Sequence, residues 1–179
     1  MLPSEILHLI LDKLNQKYDI VKFLTVSKLW AEIIVKILYY RPHINKKSQL
    51  DLFLRTMKLT SEETVFNYRL MIKRLNFSFV GDYMHDTELN YFVGCKNLER
   101  LTLVFCKHIT SVPISAVLRG CKFLQSVDIT GIRDVSDDVF DTLATYCPRV
   151  QGFYVPQARN VTFDSLRNFI VHSPMLKRI

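Results

Sequence analysis

A period of 26 residues constrains this chain more than any other feature. Ile72, Leu98, Leu124, Val150 and Leu176 stand 26 apart. Three positions further on come Leu75, Leu101, Val127, Phe153 and Ile179, and two beyond those Phe77, Leu103, Ile129 and Val155. Val80, Cys106, Ile132 and Ala158 form another column, and Tyr83, Ile109, Val135 and Val161 a fifth. Cys95, Cys121 and Cys147, with Ser173 in the fourth unit, stand near the end of each repeat. Within a unit, apolar-x-x-apolar-x-apolar has the alternation of a short strand. Residues 114–118, 139–144 and 165–170 then place apolar groups three and four apart, as on a short helix. One such unit cannot bury its own apolar face, whereas stacked units share a continuous core. The expected fold class is therefore an α/β repeat with a parallel sheet.

Strand plus helix in 26 residues resembles a leucine-rich repeat. The stretch Leu98-Glu-Arg-Leu101-Thr-Leu103-Val-Phe-Cys106-Lys-His-Ile109-Thr110 resembles the cysteine-containing subtype, and Val135-Ser136-Asp137 and Val161-Thr162 repeat its turn. Ile132 and Ala158 depart from it by replacing the first cysteine, and the first unit is irregular around Met84 to Leu89. The resemblance implies a solenoid with its sheet on the concave side. Cys95, Cys106, His108 and Cys121 could also be written as zinc ligands, but there is no C-x₂-C pair and three of the cysteines share one repeat column. Buried core thiols are the expectation, with no metal and no cofactor.

The first 40 residues follow another rule. Pro3 suits the first turn of a helix and Glu5 its positive end, and Ile6, Leu7, Ile10, Leu11 and Leu14 fall on one face. Asp19 can cap a second short helix holding Ile20, Phe23 and Leu24. Ser27 can cap a third, where Trp30, Ile33, Ile34, Ile37 and Leu38 recur at helical spacing. So small a unit makes a marginal core by itself, and its many apolar residues imply a further surface. These residues resemble an F-box: Leu2-Pro3, Glu5-Ile6-Leu7, Ile10-Leu11, Asp19-Ile20 and Val26-Ser27-Lys28-Leu29-Trp30 follow its motif in order. With Tyr39-Tyr40-Arg41-Pro42-His43-Ile44 and Asn76-Phe77-Ser78-Phe79-Val80-Gly81-Asp82-Tyr83, nearly the whole chain is similar to fungal Grr-type F-box/leucine-rich-repeat receptors.

The resemblance implies a non-catalytic substrate receptor of an SCF ubiquitin ligase. An F-box docks on a Skp-type adaptor, which links it to cullin and RING subunits. The repeats hold proteins to be ubiquitinated, which for Grr-type receptors are phosphorylated, as G1 cyclins are, in cell-cycle and nutrient signalling. Carried over, the adaptor contacts are Leu2, Pro3, Ile6, Leu7, Ile10, Val26 and Lys28, with Trp30 either a contact or internal core. The implied domains are an F-box over 1–44, a helical bridge over 45–71, and repeats over 72–179 as four units and the start of a fifth. In the bridge, Leu50, Phe53, Leu54 and Met57 share a helical face, and Thr60 with Glu63 forms a capping-box signature ahead of Val65, Phe66 and Tyr68. Two bridging helices are expected, holding orientation better than a flexible linker.

Side chains between the buried strand positions point to the concave face. Arg74, Asn76, Arg100, Thr102, Ser126, Asp128, Gly152, Tyr154 and Arg178 fall there. Gly81, Lys107, Arg133 and Arg159 make a second row one turn position out. Candidate substrate-binding residues are Arg74, Arg100, Lys107, Arg133, Tyr154 and Arg159. The row fits either a phosphate site, where arginine offers paired donors to a dianion, or plain solvated surface neutralised by Asp134, Asp137 and Asp138.

The net charge is +7, spread as +4 over residues 1–71 and +3 over 72–179. It permits nucleic acid but brings no recognised reading motif. A nucleic-acid module and a plain repeat scaffold stay open as alternatives. The chain has no G-x-S-x-G, no phosphate-cradling glycine loop and no H-E-x-x-H, and His85-Asp86 lacks a nucleophile beside it. No apolar run reaches membrane-spanning length. Four cysteines make no disulfide framework and point to a reducing compartment, and the receptor resemblance implies cytoplasm and nucleus. Leu2-Pro3 directly after Met1, and an end at the start of a fifth strand, lead one to expect a piece of a longer protein.

Overall fold

The computed structural model describes residues 20–60, 62–154 and 160–178. The front of the described chain is a 3-10 turn, Lys22–Thr25, followed by α1, Lys28–Tyr40. Ser27 starts α1 because its backbone is extended and its hydroxyl accepts from the Trp30 N–H at 3.3 Å. Ile33 and Ile34 then pack with Ile20 in a small cluster that Phe23, Leu24, Leu29, Trp30, Ile37 and Leu38 complete. Trp30 stacks on Phe23 with centroids 5.2 Å apart, so it belongs to this internal core.

α2, Lys47–Lys58, buries the face of Leu50, Phe53, Leu54 and Met57 that its sequence spacing dictates. The second bridging helix expected after Thr60 does not form. The capping contacts do: the Thr60 N–H and hydroxyl donate to Glu63 at 2.8 and 2.9 Å, which lowers the Glu63 pKa. The chain beyond stays irregular, and only one turn, α3 at Tyr68–Met71, is helical. Val65 is 91% exposed and Phe66 and Tyr68 are only half-buried, so the segment buries too little apolar surface to offset the cost of nucleating a helix. Arg69 takes over the bridging role by donating to the carbonyls of Met57, Leu59 and Tyr91.

From there the period governs. Strands β1 (Arg74–Asn76), β2 (Arg100–Thr102), β3 (Ser126–Asp128) and β4 (Gly152–Tyr154) form one parallel sheet in sequence order. Leu75 pairs with Leu101, Leu101 with Val127, and Val127 with Phe153, so each strand meets the residue 26 positions on. Gly152 bridges in turn to Arg178. Each strand returns through a helix: α4 (Asp86–Asn90), α5 (Ser111–Leu118), α6 (Asp137–Tyr146) and α7 (Phe163–His172). The apolar columns fuse into one core running from Ile44 to Phe169, except at Tyr83 in the irregular first unit, which is exposed while its neighbour Met84 is buried. Phe140, Phe153 and Phe169 meet edge to face with centroids 5.2 to 6.1 Å apart, the arrangement aromatic quadrupoles favour.

Two further devices hold the coils in step. The first is a ladder at the helix starts. Asp86 accepts from the N–H and hydroxyl of Thr110, both at 2.8 Å. Ser111 accepts from the Ser136 N–H at 2.7 Å, and Asp137 accepts from the N–H and hydroxyl of Thr162 at 2.7 and 2.8 Å. The first residue of one helix thus satisfies an amide that the next helix leaves free at its start. The second device is glycine at close approach. A Cβ on Gly81 would stand 2.8 Å from the Phe105 carbonyl oxygen, and one on Gly131 would stand 2.5 Å from the Phe105 ring.

The cysteines of both columns lie wholly inside. Cys95, Cys106, Cys121 and Cys147 are free and buried, and burial pushes each thiol up to about 12. Their sulfurs serve the backbone: Cys121 donates to the Val117 carbonyl at 3.1 Å and Cys147 to that of Leu118 at 3.5 Å. Among the described residues, no three His, Cys, Asp or Glu side chains come together to hold a metal ion.

Candidate functional site

The strand register decides which concave side chains become neighbours. One row across the sheet reads Arg74, Arg100, Ser126, Gly152 and Arg178. Its middle is small and its flanks are cationic. Arg100 and Arg178 stand three strand spacings apart, roughly 14 Å. The small residues leave an open groove of about 380 Å³, lined by Arg100, Gln125, Ser126, Gln151, Gly152, Tyr154, Lys177 and Arg178. No carboxylate lines it. Tyr154 is 41% exposed and offers an aromatic face at its edge. A cationic, open trough with amide and phenol groups along it can hold an extended anionic polypeptide by charge and hydrogen bonds.

Of the residues expected to bind substrate, Arg100 and Tyr154 meet in this groove. Arg74 sits in register beside Arg100, but its guanidinium lies over the Tyr40 ring, 5.4 Å from the centroid, and so faces the front helix. Lys107 and Arg133 are exposed in the turns after β2 and β3 and lie outside the groove lining. Gly81, the same row's position in the first coil, is buried as a spacer against Phe105. Arg159 falls outside the described residues. Asp128, also on this face, is engaged by its own turn: Thr130 donates to it through its N–H at 3.1 Å and its hydroxyl at 2.7 Å.

Sequence reasoning did not single out Gln125, Gln151 and Lys177. They occupy one column with Lys73 and Glu99, each directly before a strand position of the arginine row. The signal was the period itself, applied to polar positions as well as apolar ones.

At the other end of the chain, five of the expected adaptor contacts, Leu2, Pro3, Ile6, Leu7 and Ile10, lie outside the described residues. Val26 and Lys28 are described. Both are exposed at the start of α1, Val26 by 59%. The front is fixed to the sheet by short contacts. The Lys73 N–H donates to the Tyr40 carbonyl at 3.1 Å, and Tyr39 packs on Phe53 and Tyr68 in the main core. Burial raises the Tyr39 pKa.

Comparison with known proteins matches residues 1–45 to the F-box-like family. Over 131 residues the chain is 22% identical to the SCF E3 ubiquitin ligase complex F-box protein pof2 of Schizosaccharomyces pombe, covering 73% of this chain and 28% of that protein. The chain therefore spans just over a quarter of the length of this curated relative. Among solved structures, leiomodin-1 actin-binding site 2 superposes over 64% of this chain and 78% of its own, with a TM-score of 0.47 and 12% identity, too low to define a shared fold.

Proposed function

We propose that this chain is the substrate-recognition part of an SCF-type ubiquitin ligase. In this reading the front helices dock on a Skp-type adaptor, through it on cullin and RING subunits. The parallel stack is a cysteine-containing leucine-rich-repeat solenoid of the Grr type that holds the protein to be ubiquitinated. The domains divide as 1–44, 45–71 and 72–179. Substrates are phosphorylated proteins of the kind represented by G1 cyclins, met in the cytoplasm and nucleus. The chain catalyses nothing itself; it raises the effective concentration of substrate at the transfer machinery.

The observation that carries the reading is an F-box-like region, matched over residues 1–45, joined at Tyr39 and Tyr40 to a sheet whose exposed face is cationic. Such a joint gives two binding surfaces a fixed separation, which a ubiquitin-transfer scaffold needs. The test is coexpression with a Skp-type adaptor and affinity capture. The adaptor is expected to copurify at equal stoichiometry, and Val26→Asp is expected to weaken capture without lowering the thermal midpoint of the stack. Failure of the wild-type chain to retain the adaptor would leave a repeat scaffold or a nucleic-acid module as the better reading.

A further inference from the structure

The helices of the stack run parallel, so their C-termini collect at one edge of the molecule and their N-termini at the other. Acidic residues gather at the helix starts, where Lys107 and Arg133 also lie in the preceding turns, while the opposite edge is more uniformly cationic. The N-terminal edge carries Asp86, Asp137, Asp138 and Asp164 in first helical turns. The C-terminal edge carries Lys96, Arg119, Lys122, Arg149 and Lys177, all exposed. Helix dipoles account for part of this sorting, but their effect fades within one turn. Lys122 and Arg149 stand four and three residues past the helix ends at Leu118 and Tyr146.

Something else happens there. Lys73 Nζ, Lys122 Nζ and the Arg149 guanidinium converge on the single ring of Phe123, at 5.8, 5.2 and 5.1 Å from its centroid. A ring has two faces, so at least two of these cations share one. The one ion pair at the cluster joins Lys73 to Glu99 at 3.0 Å. Cation–π attraction to one half-buried ring holds the three together, and of these Lys122 and Arg149 have no carboxylate to offset their charge among the described residues.

We propose that this edge, centred on Phe123, is a docking surface for an acidic protein segment, separate from the substrate groove on the sheet face. Charge complementarity selects an anionic partner. A polypeptide is favoured over nucleic acid because the Phe123 ring is already covered by cations, so bases have no free aromatic face to stack on. The inference stands whether or not the front helices bind an adaptor.

The test uses the whole chain and a fluorescein-labelled hexaglutamate peptide, with hexaglutamine as the neutral control, read by fluorescence anisotropy. Hexaglutamate is expected to bind with an affinity that falls as salt rises, and hexaglutamine not to bind. Lys122→Glu with Arg149→Glu is expected to weaken binding at least tenfold, and the milder Lys122→Gln with Arg149→Gln about threefold with an unchanged circular dichroism melt. Arg100→Glu with Arg178→Glu, in the groove, is expected to change it less than twofold. No binding, equal loss from edge and groove variants, or tighter edge-dependent binding to a DNA 20-mer or to phosphatidylserine vesicles would overturn the proposal.

Discussion

The helices α1 and α6 are both amphipathic and differ by only a few residues in length, yet they are held by different means. α6 lies between α5 and α7, and the same repeat that builds it also builds the neighbours on both sides. It buries Val139, Phe140, Thr142 and Leu143 against columns of its own kind. α1 has no such copies. Its length from Leu29 to Leu38 packs on the small Ile20 cluster, and its last turn reaches into the main core through Tyr39. A repeat closes its core by addition, so every coil supports the next. A unique helix is held at two ends by two different cores, and its stability depends on both.

The cysteines give the largest way to separate the two regions, because all four lie in the stack. In the unfolded chain a thiol ionises near its ordinary 9.0, but in the folded stack each stays protonated to about 12. Folded pKa values raised above the unfolded ones leave stability intact below pH 9 and remove it as pH rises from 9 to 12. Each thiol withdraws ~1.4 kcal/mol per pH unit in that window. Urea midpoints between pH 8 and 10.5 should fall steeply, and replacing Cys121 and Cys147 with Ala should flatten the slope. Maleimide should not react with the folded chain at pH 7.

Core truncations come next. Phe153→Ala removes the centre of the aromatic triad and should cost about 3–5 kcal/mol, lowering the urea midpoint of the whole stack. Ile34→Ala should cost about 2–4 kcal/mol within the front cluster and leave amide exchange in β2 and β3 unchanged. Loss of protection in those strands would make front and stack one cooperative unit and dissolve the comparison.

Glycine spacers give a smaller, sharper effect. Gly131→Ala meets both a φ of 81° and the Phe105 ring, and should cost about 1–3 kcal/mol. Phe105→Ala should restore part of that loss in the double variant, since it removes the clash and leaves only the backbone strain. Smallest are the hydrogen-bonded links. Asp137→Ala and Ser27→Ala should each cost about 1 kcal/mol, the first read as a lower melting temperature of the stack and the second as faster exchange in the first turn of α1.

How much was legible follows from what each residue answers to. Most of the buried columns, the parallel pairing of Leu101, Val127 and Phe153, the start of α1 and the buried face of α2 were readable because each depends on spacing along the chain. The Thr60–Glu63 signature also read correctly as a local bond, but a bond does not make a helix when too little apolar surface beyond it is buried. The Asp86–Thr110 and Asp137–Thr162 links escaped notice because they join residues 24 and 25 apart through side chains.

By itself, the sequence determined the period, and the period determined strand order, register and most of the buried side chains. Only the tertiary structure decided what the long cations do. Arg74 turns to Tyr40, Arg100 and Arg178 frame a groove, and Lys73, Lys122 and Arg149 gather on Phe123. The reason is physical. A buried side chain has one place to go once its backbone is set, whereas a flexible charged one selects among partners that only folding brings within reach.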